Sequence, residues 1–173
     1  MHGKPPGQHV LTAISEEPEA ERRASTSIPL SKVRHPIVCE ALATWQKLRG
    51  ARSFPSRNDM SPRAMRGFLK NMTLVQVLDH GQDFRFRVSG DQVNLQQGMN
   101  LQGVTLTEID SRIPNYGSHL RKLYQRVLRR REPLAYRGLY YRPADQHTFS
   151  HESIMAPLSD DGETIDHLIV VAA

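Results

Sequence analysis

The stretch that most constrains the fold is residues 74–90, in which an apolar run and an alternating run flank a short polar segment. In the second run Phe84, Phe86 and Val88 alternate with polar residues, so all three lie on one face of a strand. The five polar residues between the runs include Gly81, which tolerates positive φ. The stretch therefore predicts a β-hairpin with one face toward a core and the other toward solvent or a partner.

Helices and further strands follow from the spacing of apolar residues. A first amphipathic helix begins at Pro36 and ends at Gly50, and a longer one covers residues 115–131. The segments predicted as strands, besides the hairpin, are 134–142, 148–158 and 165–171. Tight turns join two of the strand pairs, which excludes a parallel crossover. The prediction is an α+β fold: a five-stranded antiparallel sheet with helices on one face and an additional N-terminal amphipathic helix.

Composition divides the chain into two parts. Residues 1–33 are rich in Pro, Gly, Ser, Glu and Arg without sustained periodicity, which predicts a flexible N-terminal extension. Residues 34–173 then form one domain. The single cysteine, Cys39, fits a reducing compartment. No apolar run approaches the ~20 residues of a membrane span, and the N-terminus has no signal-peptide core, so we expect a cytoplasmic protein.

The order of these elements resembles the PAS domain, in particular a bacterial subfamily of short, nearly stand-alone PAS proteins. The resemblance covers most of residues 35–173. Its motifs are the leading helix with Trp45, the segment Pro55-Ser56-Arg57 to Asp59 before Pro62, the hairpin, a linker-helix pattern of Leu101, Gly103, Leu106 and Ile109, and the turn at residues 157–162.

The resemblance implies a sensory and interaction module without catalysis, acting in bacterial signal transduction. It implies a sheet whose helical side closes over a small-molecule cavity and whose other face binds helices or a second copy. Because the sequence ends at Ala173, we expect no fused C-terminal output domain. The expected partners are a second copy of the chain, in a homodimer, and an unidentified signalling protein.

A ligand pocket would lie between the inner face of the hairpin and the long helix. If the turn spans all five polar residues, Phe84, Phe86 and Val88 lie opposite Leu74, Gln76 and Leu78. The pocket candidates are Gln76, Phe84, Phe86, Val88, Leu120, Leu123, Tyr124, Val127 and Tyr136. Gln76 and Tyr136 would supply polarity to an otherwise apolar site. The alternative is that the same residues fill an ordinary core.

A dimer contact is predicted on the opposite face of the sheet. The stripe of the first helix is larger than one half-covered sheet requires, and apolar residues of the first strand need cover. The dimer-interface candidates are Val38, Ala41, Leu42, Trp45, Leu48, Val75 and Val77.

The chain carries a formal net charge of +5, and several arginines lie on the long helix. Arg126, Arg129 and Arg130 are the anion-binding candidates. The alternative is a solvated face whose last residues favourably meet the negative end of the helix dipole. A functional patch would make the chain a basic nucleic-acid-binding regulatory protein, the main rival to the sensory function.

The sequence gives little support for a metal site or for catalysis. His147 and His151 share a strand face but stand about 13 Å apart, too far to bind one ion. His119 lies where haem-binding PAS domains carry their axial ligand, which leaves a haem-binding sensor as a further alternative. No phosphate-binding loop or hydrolase motif is present. We therefore predict no enzyme and no metal site, and name no cofactor.

Overall fold

The computed structural model describes residues 25–142 and 147–173 of the chain. Strands and helices alternate along it in an α+β arrangement. The strands are β1 (Ser25–Ile28), β2 (Met72–Leu78), β3 (Asp83–Ser89), β4 (Leu134–Arg142), β5 (His147–Leu158) and β6 (His167–Ala172). The helices are α1 (Pro36–Arg49), α2 (Pro62–Met65), α3 (Asp91–Gln97), α4 (Leu106–Arg112) and α5 (Tyr116–Arg130). The predicted α+β class with an antiparallel sheet is confirmed.

The sheet has six strands in the order β1-β4-β5-β6-β2-β3, one strand more than predicted. The additional strand β1 pairs antiparallel with β4, from Ser25 opposite Gly138 to Ile28 opposite Ala135. Residues 25–33 lie within the predicted N-terminal extension; the first four of them pair with β4, and Val33 is buried in the core. The prediction for residues 1–24 lies outside the described residues.

In the hairpin of β2 and β3, the observed pairing differs by one residue from the predicted register. Leu78 pairs with Asp83, so four residues rather than five separate the strands. Asp79, His80 and Gly81 all adopt positive φ, which tightens the turn. A shift of one residue moves every side chain of a strand to the other face. The predicted partners of Phe84 and Phe86 are therefore wrong.

Phe84 pairs with Val77 rather than with Leu78. Phe86 pairs with Val75 rather than with Gln76. Gln76 pairs with Arg85 on the opposite face. An irregularity between Leu74 and Val75 shifts the register again, and Val88 then pairs with Leu74. Val88 is 41% exposed, whereas Val75, Phe84 and Phe86 are buried.

Helix α1 packs on one face of the sheet, against β5 and β6. The indole nitrogen of Trp45 donates a hydrogen bond of 2.9 Å to the Pro157 carbonyl oxygen. Glu152 accepts hydrogen bonds of 2.8 and 2.9 Å from the backbone N–H groups of Arg34 and His35, just before the helix. Because β5 side chains alternate in direction, Ile154 and Ala156 share the Glu152 face.

This packing accounts for the stripe assigned to a dimer contact. Val38, Ala41, Leu42 and Trp45 are buried within the single chain, and Leu48 packs partly buried against the same core. Of the two strand residues in that set, Val75 is fully buried and Val77 is half-buried. The stripe is thus covered by the chain's own sheet, and these residues do not require a second copy.

The opposite face of the sheet carries α3, α4 and α5. Helix α4 begins with a capping box between Thr105 and Glu108, and packs closely against α5. A Cβ atom at Gly117 would collide with the Leu106 carbonyl, so the absence of a side chain permits this close approach. The rings of Phe84 and Tyr124 meet edge to face at 5.3 Å and join α5 to β3.

Candidate functional site

A partly open cavity of about 350 Å³ lies between the inner face of the sheet and helices α3, α4 and α5. Its volume is within the range of small-molecule sites in proteins, ~300–1,000 Å³. Strands β2, β3, β5 and β6 contribute its floor, with Thr73, Phe86, Met155 and Val170 among the lining residues. The fold therefore leaves space at the place where a ligand pocket was predicted.

One wall of the cavity is apolar and is formed largely by the helices. Four of the nine predicted pocket residues, Phe86, Leu120, Leu123 and Tyr124, line it together with residues of the α3–α4 segment. Burial raises the pKa of the Tyr124 phenol, so this residue is neutral near pH 7.

The other five predicted pocket residues do not line the cavity. Phe84 and Val127 are fully buried in the surrounding core, and Gln76 and Val88 are directed elsewhere by the register of the hairpin. Tyr136 is buried on β4, and Arg126 lies beside its hydroxyl. Burial raises the pKa of Tyr136, and the neighbouring Arg126 opposes that shift.

A polar wall was missed by the sequence analysis. Thr73 and Ser153 lie on the sheet, His151 lies further toward the start of β5, and Gln97 ends α3. Two of these residues carry a buried polar atom without a hydrogen-bond partner among the described residues: Gln97 through Oε1 and His151 through Nδ1. Buried polar atoms are normally paired, so unpaired ones at a cavity indicate a ligand or solvent partner.

The charge state of this wall follows from burial. Burial lowers the pKa of His151, because the charged imidazolium loses solvation inside the protein. The ring is therefore neutral near pH 7. His119, the candidate axial ligand for haem, also lines the cavity. Within the described residues no group of three or more His, Cys, Asp or Glu side chains is placed to hold a metal ion.

The basic residues of α5 lie away from the cavity lining. Arg126, Arg129 and Arg130 are exposed, and Arg130 forms a surface ion pair of 2.8 Å with Glu132. Arg121, on the same helix, is instead held by Asp83 at 3.4 Å and by Asp110 at 3.7 Å. The three arginines assigned to anion binding are thus exposed, as is Lys122 on the same helix.

No helix in the described part of the chain combines the length and the apolar character needed to cross a membrane.

Three comparisons with known proteins were made, and the match to a family model agrees with this architecture. A family model described as a PAS domain matches residues 33–171. Among solved structures, a similar chain is titled "Structure of an RNA-binding Light-Oxygen-Voltage Receptor", with 12% identity and a TM-score of 0.45. The match covers 87% of this chain and 38% of that chain. No curated protein matches the sequence.

Proposed function

Because the chain belongs to the PAS domain family, we propose that it is a non-catalytic sensory and adaptor protein that binds a small molecule. Residues 34–173 form the sensory domain in this proposal. Ligand binding changes the stability and surface of the domain, and a signalling partner in the bacterial cytoplasm responds to that change. A homodimer is the expected assembly, with a contact surface other than the buried α1 stripe.

The single observation that carries the proposal is the cavity of about 350 Å³. Protein interiors are close-packed, and a space of this size lined by both apolar residues and unpaired polar atoms is not ordinary packing. The opposite face of the same sheet is covered by α1, whose buried residues belong to the hydrophobic core.

Native mass spectrometry of the purified chain tests the proposal directly, because a bound molecule adds its mass to the protein. An absorbance spectrum of the same sample tests the haem alternative through His119. A ligand found in this way should stabilise the wild type by ~2.7 kcal/mol at a hundred times its dissociation constant.

Phe86→Ala should lose most of that stabilisation, because Phe86 lines the cavity. Val88→Ala is the matched control: it lies on the same strand, is 41% exposed and does not line the cavity. Equal stabilisation of wild type, Phe86→Ala and Val88→Ala by the ligand would place its binding site elsewhere and contradict the proposal.

A second candidate function rests on the exposed Arg126, Arg129 and Arg130 of α5. We propose that any nucleic-acid binding by this surface is electrostatic and independent of base sequence. Fluorescence anisotropy with a single-stranded oligonucleotide should then show affinity falling with salt, and each phosphate contact removed should lower the slope by roughly one unit. A triple alanine variant should flatten the dependence. Absence of binding by the wild type at low salt would remove this candidate.

A further inference from the structure

The two walls of the cavity differ in chemistry. The helical wall places apolar side chains such as Leu101, Ile109, Leu120 and Leu123 against the space. Polar groups also line the space: the hydroxyls of Thr73 and Ser153 on the sheet, the amides of Asn71, Gln96 and Gln97, and the imidazoles of His119 and His151. A molecule that fills the cavity therefore meets apolar side chains as well as hydrogen-bonding groups.

Charged side chains are absent from the lining contributed by the described residues: it includes no Asp, Glu, Lys or Arg. His151 is kept neutral by burial. A ligand carboxylate, phosphate or ammonium group would lose its hydration here without gaining a side chain of opposite charge. Transfer of an unpaired ion from water into such a site is strongly unfavourable.

Two polar atoms, Gln97 Oε1 and His151 Nδ1, are buried without partners among the described residues. The amide oxygen of Gln97 accepts hydrogen bonds only, so its missing partner is a donor. An unsatisfied buried acceptor costs free energy, and a ligand that supplies the donor recovers it.

On the basis of the proposed function, we infer that the cavity binds an uncharged amphipathic small molecule with an apolar ring or chain and at least one hydrogen-bond donor. The apolar part lies against Leu101, Ile109 and the apolar residues of α5. The donor end lies toward Gln97 and the polar residues of β2 and β5.

Four probes that share one bicyclic body separate charge from hydrogen bonding: tryptophol, ethylindole, indoleacetate and tryptamine. Titration calorimetry with the purified full chain measures each dissociation constant. Tryptophol should bind at least about tenfold more tightly than the anionic indoleacetate and the cationic tryptamine, because the described lining has no Asp, Glu, Lys or Arg side chain to pair with either charge. Ethylindole, which lacks the hydroxyl, should bind about three- to tenfold more weakly than tryptophol.

Substitution of Gln97 tests whether its side chain contacts the ligand and determines which charge the site prefers. Gln97→Leu should weaken tryptophol binding about three- to tenfold, and Gln97→Glu should shift the preference toward tryptamine by about tenfold or more. Gln76→Leu and Gln76→Glu are matched controls on the opposite face, beside Arg85, and should leave all four affinities unchanged. Circular dichroism confirms that each variant is folded, and Gln97→Glu keeps the site polar if Gln97→Leu fails to fold.

The outcomes separate this inference from the proposed function. Tighter binding of indoleacetate or tryptamine than of tryptophol to the wild type would overturn the inference while leaving a ligand-binding domain. The same holds if the molecule that co-purifies with the chain carries a carboxylate, phosphate or amine. If no probe binds and no molecule co-purifies, the proposed function fails and the inference fails with it.

Discussion

The two faces of the sheet are built from the same strands but differ in packing. Along β5, Ile154 and Ala156 point toward α1 and are fully buried in a filled core, whereas Ser153 and Met155 line the cavity. The pattern continues on β6, where Val171 is fully buried and Ala172 lines the cavity. Each of these strands thus has one face buried in the core under α1 and the other face bordering the cavity.

This difference leads us to expect that the α1 face contributes mainly to stability and the cavity face mainly to ligand binding. The α1 face combines close packing with specific polar contacts, namely the Trp45 hydrogen bond to Pro157 and the Glu152 network. Residues that border the cavity make fewer packing contacts, because no atoms lie next to them on the side of the empty space. We expect substitutions on the α1 face to change mainly the free energy of unfolding, and substitutions on the cavity face to change mainly ligand affinity.

The largest expected effect is at Trp45. Trp45→Ala removes a buried ring and leaves the Pro157 carbonyl oxygen without its partner, so we expect a loss of about 3–5 kcal/mol in the free energy of unfolding. Urea unfolding followed by circular dichroism measures it. The control Leu95→Ala should change stability by about 0.5 kcal/mol or less, because Leu95 is 65% exposed.

Trp45 also separates packing within the chain from a dimer contact. A buried ring that only stabilises the fold gives an unfolding transition whose midpoint does not depend on protein concentration. A midpoint that rises with concentration in the wild type and loses this dependence in Trp45→Ala would instead place Trp45 in a contact between copies.

Neighbouring residues of β5 give the next largest effect. Ile154→Ala should cost about 2–5 kcal/mol, because the α1 face is filled and the substitution opens a new cavity. Met155→Ala should cost less than half as much, since Met155 already borders empty space. The difference between the two denaturation midpoints measures the contrast between the faces. Equal losses would mean that the cavity face is packed as tightly as the α1 face.

Glu152 provides a pH-dependent test of the α1 face. Burial acts to raise the pKa of Glu152, but hydrogen bonds from the backbone N–H groups of His35 and Arg34 and from Arg137 outweigh it and lower the pKa to about 2. A lowered carboxyl pKa stabilises the fold above the ordinary value of 4.5 and loses that contribution as the pH falls through about 2.

Glu152→Gln should therefore destabilise the protein by about 1.5–3 kcal/mol at pH 7, the value of hydrogen bonds to a charged group. The gap between wild type and variant should narrow as the pH falls from 4.5 toward about 2. Glu132→Gln is the control, because Glu132 forms an exposed ion pair with Arg130. A gap that stays constant over this range of pH would exclude ionisation of Glu152 as its cause.

Local patterns predicted the hairpin, α1 and α5 to within a few residues, because apolar spacing and turn residues act within one element. The sequence did not determine which face of β2 is inner. That choice depends on whether the turn has four residues or five, and here Asp79 and His80 take positive φ beside Gly81. One residue in a turn decided whether Gln76 or Val75 points inward.

The polar wall was missed for a different reason. Gln97 and His151 meet only through the tertiary fold, and neither belongs to a periodic pattern with the other. The one local signal is the first part of β5, His147 to Ser153, which is polar except for Phe149 and precedes a wholly apolar second part. Likewise, the apolar stripe of α1 was visible in the sequence, but its burial against the chain's own sheet was not.

The smallest expected effect compares two alanines. Ala156 is fully buried on the α1 face, and Ala156→Leu should destabilise the protein by about 1–3 kcal/mol through overpacking. Ala172 lines the cavity on β6, paired with Ser153, and Ala172→Leu has room for the added atoms. We expect the free energy of unfolding to change by no more than about 1 kcal/mol, in either direction, since filling a void restores contacts.

Calorimetry should then show weaker binding of tryptophol to Ala172→Leu than to wild type, although its fold is as stable. If Ala172→Leu is instead as destabilising as Ala156→Leu, the cavity is closed in solution and the contrast between the two faces does not hold.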